Sequence, residues 1–365
     1  MRRCVFSALF FAATSAVSAA EPFQIIVTVS PPGSLTNPAN WQPTQRIRLS
    51  DTGGTTSPLP DIPTTQVFDP AGIAFRTAND LFVGNRHGNA LGLGSISRFT
   101  LSADGSTTTS AGNFTVPGMI GVHELAYNTR TDELFAATVN DGIFRFRFDA
   151  AGNPVPNGSF ARGRRFRGVV AHPNGRFLHA TAASGVIYRF ALDTGPTPTE
   201  LPSISLPGAS NLHFFCLSTD GRHAYVGDIN ASRVYRLRLG SEGELTLDQT
   251  VNSPAAIDLT FSPDGDEMFV GNHFQGGITR YLYNRSADTW TQSGFIPTSS
   301  MGSFGTYNAP PCLADFNRDG FLDFFDFDDF VLAFEAGELN ADFSGDGFVD
   351  FFDFDEYVRQ FEYGC

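Results

Sequence analysis

The chain has 365 residues and no lysine, so all 24 of its basic residues are arginine. No run of basic residues is present, which gives no support for nucleic-acid binding. Beyond the first 20 residues no stretch is apolar for long enough to cross a bilayer as a helix, so no membrane span is expected. No Gly-x-Ser-x-Gly nucleophile turn, zinc motif or phosphate loop occurs, which removes the simplest signatures of hydrolases and nucleotide enzymes. Apolar spacing of three and four over ten or more residues is also missing from residues 21–308, which argues against a helical repeat there.

What is present begins with a leader. Arg2 and Arg3 precede the short apolar core Val5–Ala13, and small residues lead to an expected cut after Ala20. The expectation is bacterial-type export and an extracellular or cell-surface address. Of four cysteines, Cys4 would leave with the leader, and the odd remainder leaves one thiol unpaired. Cys216, in "LHFFCLS", reads as a small buried hydrophobe. Cys312 and Cys365 bracket the last segment and form the expected pair in an oxidising compartment, two free thiols being the alternative.

Charge divides the chain. Residues 312–365 hold fifteen acidic and two basic residues, nearly all of the net charge of −14. Pro310 and Pro311 make a stiff joint before them. The division is therefore a leader (1–20), a large unit (21–308), a linker (309–311) and a small acidic unit (312–365).

The large unit repeats. An arginine followed by apolar alternation recurs at Arg48, Arg98, Arg145, Arg189, Arg236 and Arg280, with spacings of 44 to 50 residues. Upstream of it recur "LFVGN", "LFAAT", "LHATA", "AYVGD" and "MFVGN". Further upstream recur "GIAFR", "HELAYN", "GVVAH", "FFCLS" and "DLTFS". Asp-Gly turns such as "SPDGDE" and "STDGRH" join the last two columns. Four strands in 44–50 residues is the pattern of a propeller blade. The first unit, starting at "QIIVTV", lacks an innermost strand, and "MGSFGTY" (Met301–Tyr307) is a spare strand that would complete it. The fold expected is an all-β six-bladed propeller, with seven blades as the alternative because residues 30–67 are hard to divide. The arginine in each blade is expected to lie on the neighbouring blade and bond its carbonyls.

"SPDG", "MFVGN" and "ITRYLYN" resemble the lactonase-like propeller repeats of secreted bacterial proteins. That resemblance implies a site at the channel mouth, where carboxylates and asparagines could hold a calcium and polarise a lactone carbonyl. The candidates are His123, Glu124, His213 and Asp258. Nearby loops add Asn85, His87, Asn140, Asp141, Asp228, Asn230, Asn272 and His273. Glu124 and Asp258 share one repeat column with Gly72, Gly168 and Phe214, and His123 shares its column with His213 and Ile257. The reading that these are satisfied polar residues around a tunnel stands beside the catalytic one.

The acidic unit is a duplication. Residues 315–337 and 342–364 are identical at fifteen of twenty-three positions. Oxygen-bearing residues fall at loop positions 1, 3, 5, 9 and 12: Asp315, Asn317, Asp319, Asp323 and Asp326, then Asp342, Ser344, Asp346, Asp350 and Asp353. Gly320 and Gly347 stand at position 6, and Phe321 and Phe348 would offer the carbonyl of position 7. This is the EF-hand calcium loop, twice, and hard oxygen donors favour two calcium ions. Aspartate at position 12 and the absence of a helix before the first loop resemble a type I dockerin over Cys312–Cys365. Each repeat is then a loop followed by one helix, with Phe324, Phe327, Val331 and Phe334, and Phe351, Phe354, Val358 and Phe361, as facing apolar stripes. The resemblance implies a cohesin-like or cell-surface partner, met early in each helix, where Phe325 and Phe352 fall off the stripe.

The sequence thus predicts a secreted modular protein. Its propeller binds a glycan or small molecule and is attached through a calcium-dependent docking module. The alternative is a lactonase-like or carbohydrate-active hydrolase acting at the propeller mouth.

Overall fold

The computed structural model describes residues 23–29, 36–77, 79–88, 93–102, 105–193, 195, 197–298, 304–307, 314, 316, 322, 324–343 and 348–363. Their strands form six four-stranded antiparallel sheets arranged as propeller blades. The innermost strands of blades 2 to 6 are Pro70–Thr77, Val122–Asn128, Gly168–Ala171, Leu212–Leu217 and Ala256–Phe261. Blade 1 takes its innermost strand from the far end of the unit. Phe304–Tyr307 pairs antiparallel with Phe23–Val27, Val27 facing Phe304 and Gln24 facing Tyr307. The ring is therefore closed by "FGTY", the described part of the spare strand "MGSFGTY". Residues 30–67 supply the third and outer strands of blade 1, Thr44–Leu49 and Thr56–Ile62, which settles six blades rather than seven.

Local chemistry makes the inner hairpins. In blade 6, Ser262 donates to Asp264 Oδ1 at 2.5 Å and the Asp266 N–H donates to the same oxygen at 3.0 Å. Gly265 then turns the chain with φ of +72°, a conformation that favours glycine. Blade 5 repeats the device with Ser218, Asp220, Arg222 and Gly221. Alternate residues along each strand bury apolar side chains between blades. Each of six core clusters spans one blade seam. Leu81, Val83 and Phe99 meet Ile26 and Ile62 between blades 2 and 1, and Ile25 and Leu49 meet Phe269 and Ile278 between blades 1 and 6. Burying one such Leu, Ile or Phe is worth roughly 1.5–3 kcal/mol.

The arginines staple the seams. Arg98 pairs with Asp80 (2.7 Å) and donates to the Ala151 carbonyl of blade 3 (2.8 Å). Arg189 donates to the Glu242 carbonyl of blade 5 (3.0 Å), and Arg280 pairs with Glu267 (2.5 Å) and donates to the Gly54 carbonyl of blade 1 (2.8 Å). Arg236 reaches Asp288 of blade 6 (2.6 and 2.7 Å) and Asp248 of its own blade. Arg145 clasps Glu133 within blade 3. One member of the column needs correction. In blade 1 the arginine at the register of the column is Arg46, two residues before Arg48. Arg46 faces Ile26, is 1% exposed, and donates to Gln24 and to the Gly105 and Ser106 carbonyls of blade 2. Both arginines lie on one face of the strand, and only the strand register separates them.

In the acidic unit, helices α1 (Phe324–Glu335) and α2 (Phe351–Tyr363) follow the two loop sequences. Their core centres on Phe330 and Tyr357, both fully buried, with rings stacked 3.8 Å apart at 8°. Phe327, Val331, Phe334, Phe354 and Phe361 pack around them. The expected stripes were shifted. Phe324 and Phe351 are 71% and 72% exposed, because each opens its helix, beyond the zone where α1 and α2 meet. Cys312 and Cys365, and with them the expected disulfide, lie outside the described residues. Among the described residues no helix is long and apolar enough to cross a membrane.

Candidate functional site

The inner strands of blades 2, 3, 5 and 6 slip their register near their first residues, and those of blades 1 and 4 do not. The shifts fall at Pro70/Ile73, Val122/Glu124, Leu212/Phe215 and Ala256/Leu259. Such bulges re-aim side chains at the ends of strands. The residue column that begins at Ala71 continues through His123, Arg167, His213 and Ile257, and all five line one cavity of about 340 Å³ open at the mouth. Asn211, Phe214 and loop residues Arg86, Ile229, Asn230, His273 and Phe274 complete it. Sequence reasoning had His123, His213, Asn230 and His273 but missed Arg86 and Arg167. The signal for Arg167 was available, because it precedes Gly168 just as His123 precedes Glu124.

The electrostatics of the mouth are cationic. Arg86 is ion-paired with the buried Asp69 (2.9 Å). The Arg167 side chain meets no carboxylate among the described residues, and burial together with Arg86 and Arg165 lowers its affinity for a proton. His123 Nδ1 lies 2.8 Å from the Arg167 carbonyl. A carbonyl only accepts, so Nδ1 carries the proton and Nε2 keeps a free lone pair. Burial, with Arg86 and Arg167 nearby, pushes the His123 pKa down to about 3, so the ring is neutral at pH 7. His123 stacks on Phe214 at 4.7 Å and approaches His213 at 5.7 Å. Burial also holds His213 well below the usual imidazole range, and its Nδ1 is buried without a hydrogen-bond partner.

Glu124 and Asp258 do not line this cavity. Both are buried, at 5% and 2% exposure. Glu124 accepts from the Val169 N–H of blade 4 and from the Phe215 N–H of blade 5 (3.2 Å), so one carboxyl group straps three blades. Burial first, then Asp258, raises its pKa well above the ordinary carboxylate value. Asp258 accepts from the Leu259 N–H at 2.8 Å. The glycines of their column leave room for this crowding. A Cβ on Gly72 would collide with the Glu124 backbone, and one on Gly168 with the His213 carbonyl.

The other loop candidates are held by the fold. Asp228 accepts from four backbone N–H groups, those of Ser210, Asn211, Asn230 and Ala231. Asn85 bridges Ser95, Ser97 and the Phe68 N–H, and Asn272 accepts from the Gln275 N–H. Asp141 takes Arg162 and the Gly163 N–H, His87 stacks on Trp41, and Asn140 is exposed. Cys216 carries a free thiol packed beside Tyr225 and Phe261, its pKa pushed up by burial. Among the described residues no three His, Cys, Asp or Glu side chains converge as a metal site.

In the acidic unit, Asp326 and Asp353 are fully buried at the first turns of α1 and α2. Asp353 Oδ2 accepts from the Asp350 N–H (2.7 Å), and Asp350 Oδ1 accepts from the Phe352 N–H (2.9 Å). Asp342 and Phe348 are also described. Asp315, Asn317, Asp319, Phe321, Asp323, Ser344 and Asp346 lie outside the described residues. Phe325 and Phe352 are 68% and 71% exposed, as expected of residues off the core stripe.

No family model and no curated protein matches this chain. Solved structures share its fold. A putative 6-phosphogluconolactonase from Bacteroides uniformis is similar at 17% identity, over 77% of this chain and 84% of that one, with a TM-score of 0.57. A periplasmic gluconolactonase of Pseudomonas aeruginosa is similar at 15% identity, over 77% and 84%, with a TM-score of 0.58. A chain of a nidogen/laminin complex, at 11% identity over 79% and 98%, gives 0.55. At these identities the likeness is one of architecture: the chain folds as a β-propeller.

Proposed function

We propose that the propeller is a lactonase-like hydrolase acting at its mouth on a small, oxygen-rich, anionic ester. The observation that carries this is the cavity itself, which sets the carboxylate-free Arg167 beside neutral imidazoles over an apolar floor. Two of the structurally similar proteins are described as lactonases, which agrees with the reading. In this scheme His123 Nε2 takes a proton from water as its oxygen bonds to the lactone carbonyl carbon. Arg86 and Arg167 face the oxyanion, and the same proton passes to the ring oxygen as its bond to that carbon breaks. The product is the open hydroxy acid. An anionic ligand offsets the two guanidiniums and so removes their share of the lowering of His123, burial being the larger cause.

The test is acid release by the full chain from glucaro-1,4-lactone, whose free carboxylate supplies the negative charge. His123→Ala is expected to slow kcat by about 10²-fold or more, and Arg167→Ala to raise KM and lower kcat. Unaltered rates in both variants, or no turnover by the parent, would sink the proposal.

We further propose that the protein is exported and that residues 312–365 are a dockerin-like module holding two calcium ions. Two fully buried aspartates in so acidic a unit are consistent with a cation at each helix start. The exposed Phe325 and Phe352 suit a docking face for a cohesin-like or cell-surface partner. The Cys312–Cys365 bond belongs to the same proposal.

A further inference from the structure

The loop Arg162–Arg167 carries four arginines over a lip of the mouth, and they divide into two kinds. Arg162 pairs with Asp141 and lies over the Phe144 ring, and Arg164 pairs with Glu200 (2.7 Å) and lies over Tyr188. Both are engaged by the fold. Arg165 and Arg167 meet no carboxylate among the described residues. They stand two residues apart on either side of Phe166, which is fully buried between Tyr188 and Phe190. Two residues apart, with a bend at Arg167, their Cα atoms lie no more than about 7 Å from each other.

This loop is held rigidly. The Arg164 carbonyl accepts from Gly142 N–H (2.8 Å), Phe166 N–H donates to Thr138 (2.9 Å), and Arg167 N–H donates to Thr181 (2.8 Å). The Arg167 carbonyl also holds His123. Two guanidiniums carried two residues apart on a preorganised backbone, with no carboxylate against either among the described residues, form an arrangement that an anion would relieve. Arg167 lines the cavity, and Arg165 is exposed outside it.

We infer that the ligand extends past the cavity and carries a second negative charge over Arg165, as a short chain of uronic acid residues does. A phosphate monoester would concentrate its charge in one group and would leave Arg165 unused. The inference rests on the mouth being the ligand site of the proposed hydrolase, and it adds the class of substrate: an acidic oligosaccharide, bound with one carboxylate at Arg167 and the next at Arg165.

Calorimetric titration of the full chain with galacturonic acid, trigalacturonic acid and maltotriose tests this. The uronate trimer is expected to bind at least tenfold tighter than either the monomer or the neutral trimer, the size of one charge-assisted contact. Arg165→Ser should reduce that advantage to about twofold, and Arg165→Lys should recover part of it. A trimer bound no better than monomer or maltotriose, or equally well by Arg165→Ser, overturns the inference. Lactone turnover without the trimer advantage refutes this inference alone, whereas the trimer advantage without any lactone turnover refutes the hydrolase reading alone.

Discussion

The arginine staples make a graded prediction. Replacing Arg280 by Gln leaves Glu267, which is wholly buried, without its two charged contacts at 2.5 and 3.0 Å, and breaks the bond to Gly54 across the seam of blades 6 and 1. Removing one partner of a buried pair costs roughly 3–5 kcal/mol. Arg236→Gln also strands Asp248, but Asp248 keeps Arg238 at 3.3 Å and Asp288 is 56% exposed, so about 2 kcal/mol is reasonable once solvent screening is allowed for. Arg189→Gln loses one bond to a carbonyl, worth about 1 kcal/mol. At about 2 °C per kcal/mol for a domain of this size, Tm should fall by roughly 6–10, 4 and 2 °C in that order. Scanning calorimetry of the full chain measures it. The double variant Arg280→Gln, Glu267→Gln should recover more than half of the loss, because the stranded charge is then gone. Equal losses in all three single variants, or no rescue in the double one, would show that the staples do not act through buried charge.

Acid should weaken the propeller early. His123, His179 and His213 are held below their ordinary pKa by burial, the first two to about 3, so only the unfolded chain takes up their protons. Their contribution is present above about pH 6.5 and is lost as pH falls, while Glu124, raised by burial, acts in the opposite sense above about pH 4.5. With three such histidines against one carboxyl group the histidines prevail, so stability should fall with pH between roughly pH 5.5 and 4.5, and a flat stability across that range in urea titrations would contradict it. For the acidic unit, calcium should be coupled to folding. Circular dichroism of residues 312–365 should gain helix on calcium addition and lose it with chelator, and identical spectra would reject the coupling.

The blade repeat and the arginine column were legible because they recur, the column being misplaced only in blade 1, and ring closure was legible because the first unit lacks a strand that the end of the unit supplies. The mouth was only half legible. Histidine and carboxylate draw attention as chemistry-bearing types, and they were grouped together although the pleat separates them. His123 turns to the cavity, and its neighbour Glu124 turns to the backbones of blades 4 and 5. Arg167 escaped because its column was read by residue type rather than by position. In α1 and α2 the spacing 324, 327, 331, 334 matched a helical face, but the buried face runs 327, 330, 331, 334 and its counterpart includes Tyr357. A helix period fixes the stripe only once the first residue of the helix is known, and the loop before each helix hid that start.

The pairing of Phe304–Tyr307 with Phe23–Val27 also sets an order of events. Val27 leaves the ribosome about 280 residues before Phe304, an interval on the order of 15 to 60 s at ordinary rates of synthesis. Throughout it the strand "FQIIV", buried along its whole length in the finished ring, presents an apolar edge with no partner. The nascent chain must therefore be shielded until its last propeller strand has emerged. A truncation before residue 304 should accumulate as aggregate rather than as a five-bladed remnant.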